Sequence, residues 1–370
     1  MARPQFDVPY AALGYEKSLM KQELLTAFSQ VLESGHYITG PELSKFEQDL
    51  ASFCGGQYGI GVSSGTSALH LVLSSLDLKD GDEVITAPNS FIASASTIAL
   101  AGGKPVFSDV CPDMNLDPEL LESAITPKTR AIIPVHLTGR PAKMKEILEI
   151  AKQHNLFVLE DAAQAIGAKL DGKRVGSWGD ATAFSLHPLK NLTAIGDAGA
   201  IVTKNESLNT YFRMARSHGL KTRDSCEFWA FNCRLDEMQA ALLNVQFPFL
   251  EEFSEKRRQL AFRYNELLAP YVEVPNEGEG EYCVYQTYMI QADRRDKLQQ
   301  TLRDNGVEAL VHYPRPLHLQ PVTQYLGYTE KDFPVSVKQG TRIMSLPIYP
   351  SMAENQQDQV IELIARFYNA

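Results

Sequence analysis

A chain of 370 residues with 44% hydrophobic and 22% charged residues can bury a large core and has the balance of a soluble enzyme. Its formal net charge of -10 argues against nucleic acid or an anionic membrane surface as the main partner. Cys54, Cys111, Cys226, Cys233 and Cys283 are scattered and never spaced CxxC, which suits reduced thiols and excludes a disulfide frame or a zinc site.

No basic-then-apolar signal opens the chain, and no run approaches the roughly 20 apolar residues of a membrane span, so a cytoplasmic location is expected. The Asn191 and Asn205 matches to N-x-S/T are then chance. Ser18 to Ser34 reads as an amphipathic helix with Leu19, Leu24, Leu25, Phe28, Val31 and Leu32 on one side. The turn Gly35 to Gly40 breaks it, and Pro41 starts a helix over Glu42 to Phe53. Tyr58 to Val62 is a strand that runs through a Gly/Ser/Thr turn into a helix from Ser67 to Leu76. The N–H groups and positive dipole end of that helix let Gly65 and Thr66 hold a phosphate, although the spacing alone fits a capped helix that binds nothing. Gly59 and Gly61 nearly make a dinucleotide fingerprint, but Ser64 takes its third glycine position. Strands at Val84–Ala87, Pro105–Val110 and Arg130–Leu137 then alternate with helices at Ile92–Ala101, Leu116–Ile125 and Met144–His154. That alternation predicts a parallel sheet with right-handed crossovers.

The stretch from Phe157 to Thr203 carries the chemistry. The apolar run Leu156 to Leu159 ends in Glu160 and Asp161, Ser185 has apolar flanks, and Lys190 stands between Pro188 and Asn191, three residues on from His187. A Gly-rich turn then leads to a strand over Ala200 to Val202. Open parallel sheets place ligands at the C-terminal ends of such strands. A lysine amine can form a Schiff base with an aldehyde, and an acid can keep a heterocyclic nitrogen protonated so that the ring accepts electrons. Pyridoxal phosphate is the cofactor that needs both. Read locally, Lys190 also fits a solvated surface lysine, and Asp161 a turn or cap acid.

Beyond Thr203, Glu206 to Arg216 is helical, and Asn232 is placed to cap a helix over Leu235 to Gln246. A long helix, Phe249 to Leu268, leads to a strand at Tyr285–Ala292, a helix at Asp296–Asn305 and a strand at Val307–His312. The segment His312 to Pro321 is proline-rich and full of proton carriers, and a solvated loop is its plainer reading. No metal is expected, because no histidines have the i, i+4 pairing of H-E-x-x-H. Residues 1–246 are expected to form a large cofactor-binding domain with N-terminal helices, and 247–370 a smaller C-terminal α+β domain.

Asp161-Ala162-Ala163-Gln164, the block Phe184 to Leu192 and Gly196-Asp197-Ala198-Gly199 together resemble the DegT/DnrJ/EryC1/StrS aminotransferases. The likeness runs from about Gly35 to Tyr349, with Ala198 and Ala230 where the family more often has glycine. It implies the α/β architecture of fold type I pyridoxal-phosphate enzymes, a mostly parallel central sheet sandwiched by helices, and amination of keto sugars. By the same resemblance Lys190 carries the cofactor, Asp161 faces the ring nitrogen, Gln164 the ring hydroxyl, and Phe91 the ring face. Gly65, Thr66 and Ser185 hold the phosphate, and Asn232 reaches the phosphate of the neighbouring subunit in a homodimer. His187, Tyr313 and His318 are the substrate-side candidates. Glutamate or glutamine is the implied donor, and a nucleotide-linked 3-keto or 4-keto sugar the implied acceptor, with keto-cyclitols and sugar phosphates used by relatives. Two other readings share the fold. A pyridoxamine-dependent sugar dehydratase has histidine in place of the lysine, and Lys190 speaks against it. A non-enzymatic regulator would not need the lysine–aspartate pair.

Overall fold

The computed structural model describes residues 6–370. Helices α1 (Leu13–Ser18) and α2 (Lys21–Ser34) precede α3 (Pro41–Cys54), which Pro41 starts and a left-handed Gly55 ends. Then come β1 (Tyr58–Val62), α4 (Gly65–Ser74), β2 (Glu83–Thr86), α5 (Ala93–Leu100), β3 (Lys104–Phe107), α6 (Pro118–Leu121) and β4 (Thr129–Ile133). Helix α7 (Met144–Gln153) delivers the chain to β5 (Phe157–Asp161). A small ribbon of β6 (Lys169–Leu170) and β7 (Lys173–Arg174) leads to β8 (Ala181–Ser185) and β9 (Gly199–Thr203). There follow α8 (Glu206–Ala215), the short pair β10 (Leu220–Thr222) and β11 (Ser225–Cys226), α9 (Glu237–Gln246) and α10 (Leu250–Leu268). The C-terminal part holds β12 (Glu281–Tyr282), β13 (Tyr288–Gln291), α11 (Arg295–Asp304), α12 (Pro334–Arg342), β14 (Ile343–Leu346) and α13 (Glu354–Asn369).

Seven strands form one sheet in the order β1-β9-β8-β5-β4-β2-β3. The five from β8 to β3 are parallel, while β9 is antiparallel to both β8 and β1. The sheet is therefore mostly parallel, with β9 the exception to the alternating pattern. A parallel partner needs a crossover, and the segment between β8 and β9 contains no helix, so β9 simply returns beside β8. Side chains alternate across the sheet, and both faces are covered. Ile201 joins the core with residues of α4 and α8, while its neighbours Ala200 and Val202 join the core with α3 and α9. A separate core unites Tyr264 of α10, Tyr288 of β13, Leu298 of α11, Met344 of β14 and Ile364 of α13 with Val8 from near the start of the chain. Helix α10 serves both regions, since Leu250 packs into the sheet core and Ala261, Tyr264 and Leu268 into the C-terminal one.

Three local expectations change. The helix read over Ser18 to Ser34 is interrupted between α1 and α2, and Leu24 and Val31 are buried while Leu19, Leu25, Phe28 and Leu32 stay exposed. The helix read over Leu116 to Ile125 shrinks to α6 and one tight turn, with the Asp117 carboxylate accepting the Glu119 N–H to cap its start. Val307 to His312 is not a strand. Val307 bridges Val8 and Leu310 bridges Ser345, so the segment touches two partners for one residue each, and β14 pairs with β13 instead. Among the described residues no helix is long and apolar enough to cross a membrane.

Candidate active site

The site grows out of sheet register. Ser185 at the end of β8 pairs with Gly199 of β9, and Gly199 pairs with Val62 at the end of β1, so the three form one row at the sheet's edge. Two residues past Val62 the chain turns into α4. Ser64 caps that helix by accepting the Ser67 N–H on its hydroxyl at 3.0 Å. The first N–H groups of a helix have no partner within it, and here they belong to Gly65 and Thr66, directly beside Ser185. Glycine permits that approach: a Cβ on Gly65 would lie 2.8 Å from the Ser185 Cβ, and one on Gly199 would lie 2.3 Å from the Ser64 carbonyl.

At the end of β5, successive side chains diverge to opposite faces. Glu160 is fully buried, with Oε1 accepting from Trp178 N–H, Gly179 N–H and the Thr182 hydroxyl, and Oε2 from Gly176 N–H and His136 Nε2. Burial opposes the Glu160 charge, but His136 and these donors overcome it and hold the carboxyl below its ordinary range. His136 Nδ1 accepts the Ala142 N–H, so its proton sits on Nε2. Asp161 faces the other way, into a cavity of about 480 Å³. Its Oδ2 accepts from the Ser94 hydroxyl at 2.8 Å and its Oδ1 from Ala163 N–H at 3.2 Å. Burial pushes the Asp161 carboxyl up, against Ser94, Ala163 and Lys190, which pull it down.

Lys190 enters the same cavity from the segment that joins β8 to β9. Burial lowers its amine to about 8, with Asp161 working in the opposite direction. Gln164 also lines the cavity; Thr138 N–H holds its Oε1 at 2.7 Å, which leaves its amide NH2 as a donor. Phe91 lines it with half its surface exposed (51%), its ring centroid 5.6 Å from that of Tyr313. Tyr313 is pushed up to about 12 by burial and by Asp161. His187 is on the rim, where Nδ1 accepts the Leu189 N–H at 3.2 Å and leaves the proton on Nε2. Burial and Lys190 lower its pKa.

Two residues lie elsewhere. His318 is buried 4.7 Å from Phe333 and 6.4 Å from Phe107, centroid to centroid, in a satellite core, and it does not line this cavity. Its sequence neighbours on the HYP segment do reach the cavity, but the tight turn at Leu317–Leu319 rotates His318 inward. Asn232 is exposed and away from this chain's own cavity, and its Oδ1 accepts from Arg234 Nε at 2.9 Å. It does not cap α9, whose N-cap is Asp236. Sequence reasoning passed over Ser94, Tyr10 and Gln286, all cavity residues, and His312, the first residue of the proline-rich segment, lines the cavity with them. For Ser94 a signal existed: Ser90 and Ser94 stand at i, i+4 around Phe91, and the Ser90 hydroxyl donates to that of Ser94.

The donors and acceptors fit pyridoxal phosphate. An anion fits the α4 terminus, a ring N–H fits the buried Asp161, a ring oxygen fits the Gln164 amide, and an aldehyde carbon fits the softened Lys190 amine. A mostly parallel sheet that turns such groups toward one cavity marks the fold type I transferases. The chain belongs to the DegT/DnrJ/EryC1/StrS aminotransferase family, which it matches over residues 18–365. It is 44% identical to a pleiotropic regulatory protein of Geobacillus stearothermophilus, over 98% of this chain and 99% of the relative. It is 38% identical to a dTDP-3-amino-3,4,6-trideoxy-alpha-D-glucose transaminase of Streptomyces venezuelae, over 96% of this chain and 95% of the relative. Among solved structures, S. venezuelae DesV in complex with a ketimine intermediate has a TM-score of 0.95 at 37% identity, covering 100% of both chains.

Proposed function

We propose that this protein is a cytoplasmic, homodimeric pyridoxal-phosphate aminotransferase that moves an amino group from glutamate or glutamine to a keto sugar. A nucleotide-linked 3-keto or 4-keto deoxysugar is the leading acceptor. The observation that carries the reading is one cavity shared by a lysine lowered to about 8 and a buried carboxyl that burial pushes up. When bound, the cofactor supplies an aldehyde that condenses with amines and a ring that takes up the electrons of a broken C–H bond.

The chain's own residues do the rest. Near neutral pH a useful fraction of Lys190 is deprotonated, so Nζ can accept the donor's Cα proton and later return a proton to the acceptor side. Asp161 Oδ holds the ring N–H and is itself held by Ser94 and Ala163. The Gln164 amide donates to the ring oxygen, Phe91 covers a ring face, and the Gly65 and Thr66 N–H groups with the Ser185 hydroxyl hold the phosphate. His187 and Tyr313 face the sugar. Exposed Leu19, Leu25, Phe28 and Leu32, together with Trp229 (98% exposed) and Phe231 (68%), supply apolar surface for a second copy, whose Asn232 completes the phosphate site.

The test is an assay of the loaded protein with glutamate against keto sugars carried on dTDP and UDP, read as amino-sugar formation by mass spectrometry. No amination of any acceptor by fully loaded protein would remove the acceptor class. The name of the 44% identical relative favours one second reading, a regulator on this fold. Borohydride reduction followed by peptide mapping separates the two: cofactor fixed on the Lys190 peptide supports the enzyme, and none fixed supports the regulator.

A further inference from the structure

We infer that Gln286 and Asn191 are positioning residues that pin the Lys190 loop from both sides, using a strap of the C-terminal region at residues 284–287. The inference rests on Lys190 being the lysine that carries the cofactor. Gln286 Nε2 donates to the Leu189 carbonyl at 3.0 Å, and Asn191 Nδ2 donates to the Val284 carbonyl at 2.9 Å. The residues immediately before and after Lys190 are thus each tied to the same short strap.

The strap is itself fixed, although it belongs to no strand. Backbone polar groups in buried, irregular chain need partners elsewhere, and the Val284 and Thr287 N–H groups and the Val284 and Tyr285 carbonyls have them. Arg258 donates to the carbonyl of Cys283, just before the strap, at 3.0 Å, and Arg257 to the Tyr285 carbonyl at 3.4 Å, so consecutive arginines of α10 hold it. Val284 N–H donates to the Gly139 carbonyl at 2.9 Å and Thr287 N–H to the Thr138 carbonyl at 3.4 Å. Thr138 is the residue whose own N–H orients Gln164. One strap therefore registers two groups against each other: the amine through Leu189 and Asn191, and the ring-side amide through Thr138. Val284, Tyr285, Gln286 and Thr287 are all buried, which gives the strap little freedom to yield. Proton transfer by Lys190 depends on sub-ångström placement of Nζ, and misplacement by about 1 Å can cost on the order of a hundredfold.

Gln286→Met keeps the side chain's bulk and removes the donor, and Asn191→Leu does the same on the other side. Each should lower kcat by about tenfold while leaving KM for glutamate within about twofold, because the loss falls on the proton-transfer geometry and not on donor binding. The pH midpoint of the yellow band of the loaded protein should shift in both variants. In cofactor-free protein, amide exchange in the peptide spanning 187–192 should quicken by about tenfold. The double variant should lose much less than the product of the two single losses, since either cut frees the same loop. Unchanged kcat and band midpoint in folded variants, or losses that multiply, overturn the clamp. If Gln286→Met does not fold, Gln286→Glu, which keeps the shape and places an acceptor against the Leu189 carbonyl, takes its place with the same criteria. Peptide mapping after borohydride reduction of the unmodified protein keeps the two claims apart. Cofactor on another lysine overturns the parent reading, whereas cofactor on Lys190 with indifferent variants overturns the clamp alone.

Discussion

Gly65 and Ser185 stand so close that a methyl group added to Gly65 would lie 2.8 Å from the Ser185 Cβ. The first turn of α4 and the end of β8 are thereby packed into one wall, which is how two stretches far apart in sequence come to line the same cavity. Gly65→Ala should force the end of β8 at Ser185 away from α4 and raise the dissociation constant for pyridoxal phosphate by about tenfold or more, with overpacking of about 1–3 kcal/mol as the cause. A fluorescence titration with the cofactor, paired with a thermal melt, measures both. Gly199→Ala is the harsher change, because its Cβ would lie 2.3 Å from the Ser64 backbone, which has no rotamer to give. That variant should lose stability even without cofactor, and equal melting temperatures for the two variants would contradict the packing argument.

Lys190 and Asp161 set the pH behaviour. Burial disfavours the ammonium ion, so the Lys190 amine is lowered to about 8 from an ordinary value of about 10.4. In cofactor-free protein, acylation of Lys190 followed by mass spectrometry should reach half its maximal rate near pH 8, while exposed lysines do so more than two units higher. Lys17, also lowered by burial to about 8, is an internal comparison. Because Asp161 raises the Lys190 value, Asp161→Asn should move the Lys190 midpoint lower still, and a move upward would reverse the assigned cause.

Asp161→Asn should also cost turnover more than binding. The amide keeps the shape and the Ser94 contact but no longer carries the charge that keeps a ring nitrogen protonated. Loss of one such electrostatic partner is worth about 10²–10³ in kcat. A cofactor analogue with a permanently charged, methylated ring nitrogen should recover part of that loss in Asp161→Asn and none in Lys190→Ala. Equal recovery in both variants would mean that Asp161 does not act through the ring nitrogen.

Strand ends and their acids were legible in sequence because buried strands are short apolar runs with sharp polar stops, as at Leu159-Glu160-Asp161. Which acid faces the cavity was named from the family resemblance of the segment Asp161 to Gln164 and not from the strand pattern, since adjacent residues point to opposite faces and either phase fits. Antiparallel β9 escaped for a related reason: an apolar run shows that a strand exists but not its direction. On α2, a helical stripe of leucines, valine and phenylalanine reads as core by period alone, yet Leu25, Phe28 and Leu32 face outward, because the sequence does not say whether an apolar stripe is covered by its own chain or by another. His318 shows the reverse. One tight turn after Pro316 separates it from Tyr313 and the cavity, and such a turn leaves little trace in composition. The 284–287 strap was invisible, since its bonds join residues nearly a hundred positions apart without periodicity.

Asn232 offers the sharpest test of a shared site, because it is exposed, lies outside its own chain's cavity and neighbours the exposed Phe231. If Asn232 serves the partner subunit, Asn232→Ala homodimers should shed cofactor and Lys190→Ala homodimers should be inactive. Mixing and reassociating the two should restore activity. In the mixed dimer the subunit that keeps Lys190 receives the Asn232 of its partner and is whole, while the other site lacks both. Random reassociation makes about half the dimers mixed with one native site each, so about a quarter of unmodified activity should return. An Asn232 that served its own subunit would leave no intact site in any dimer, and mixing would recover nothing.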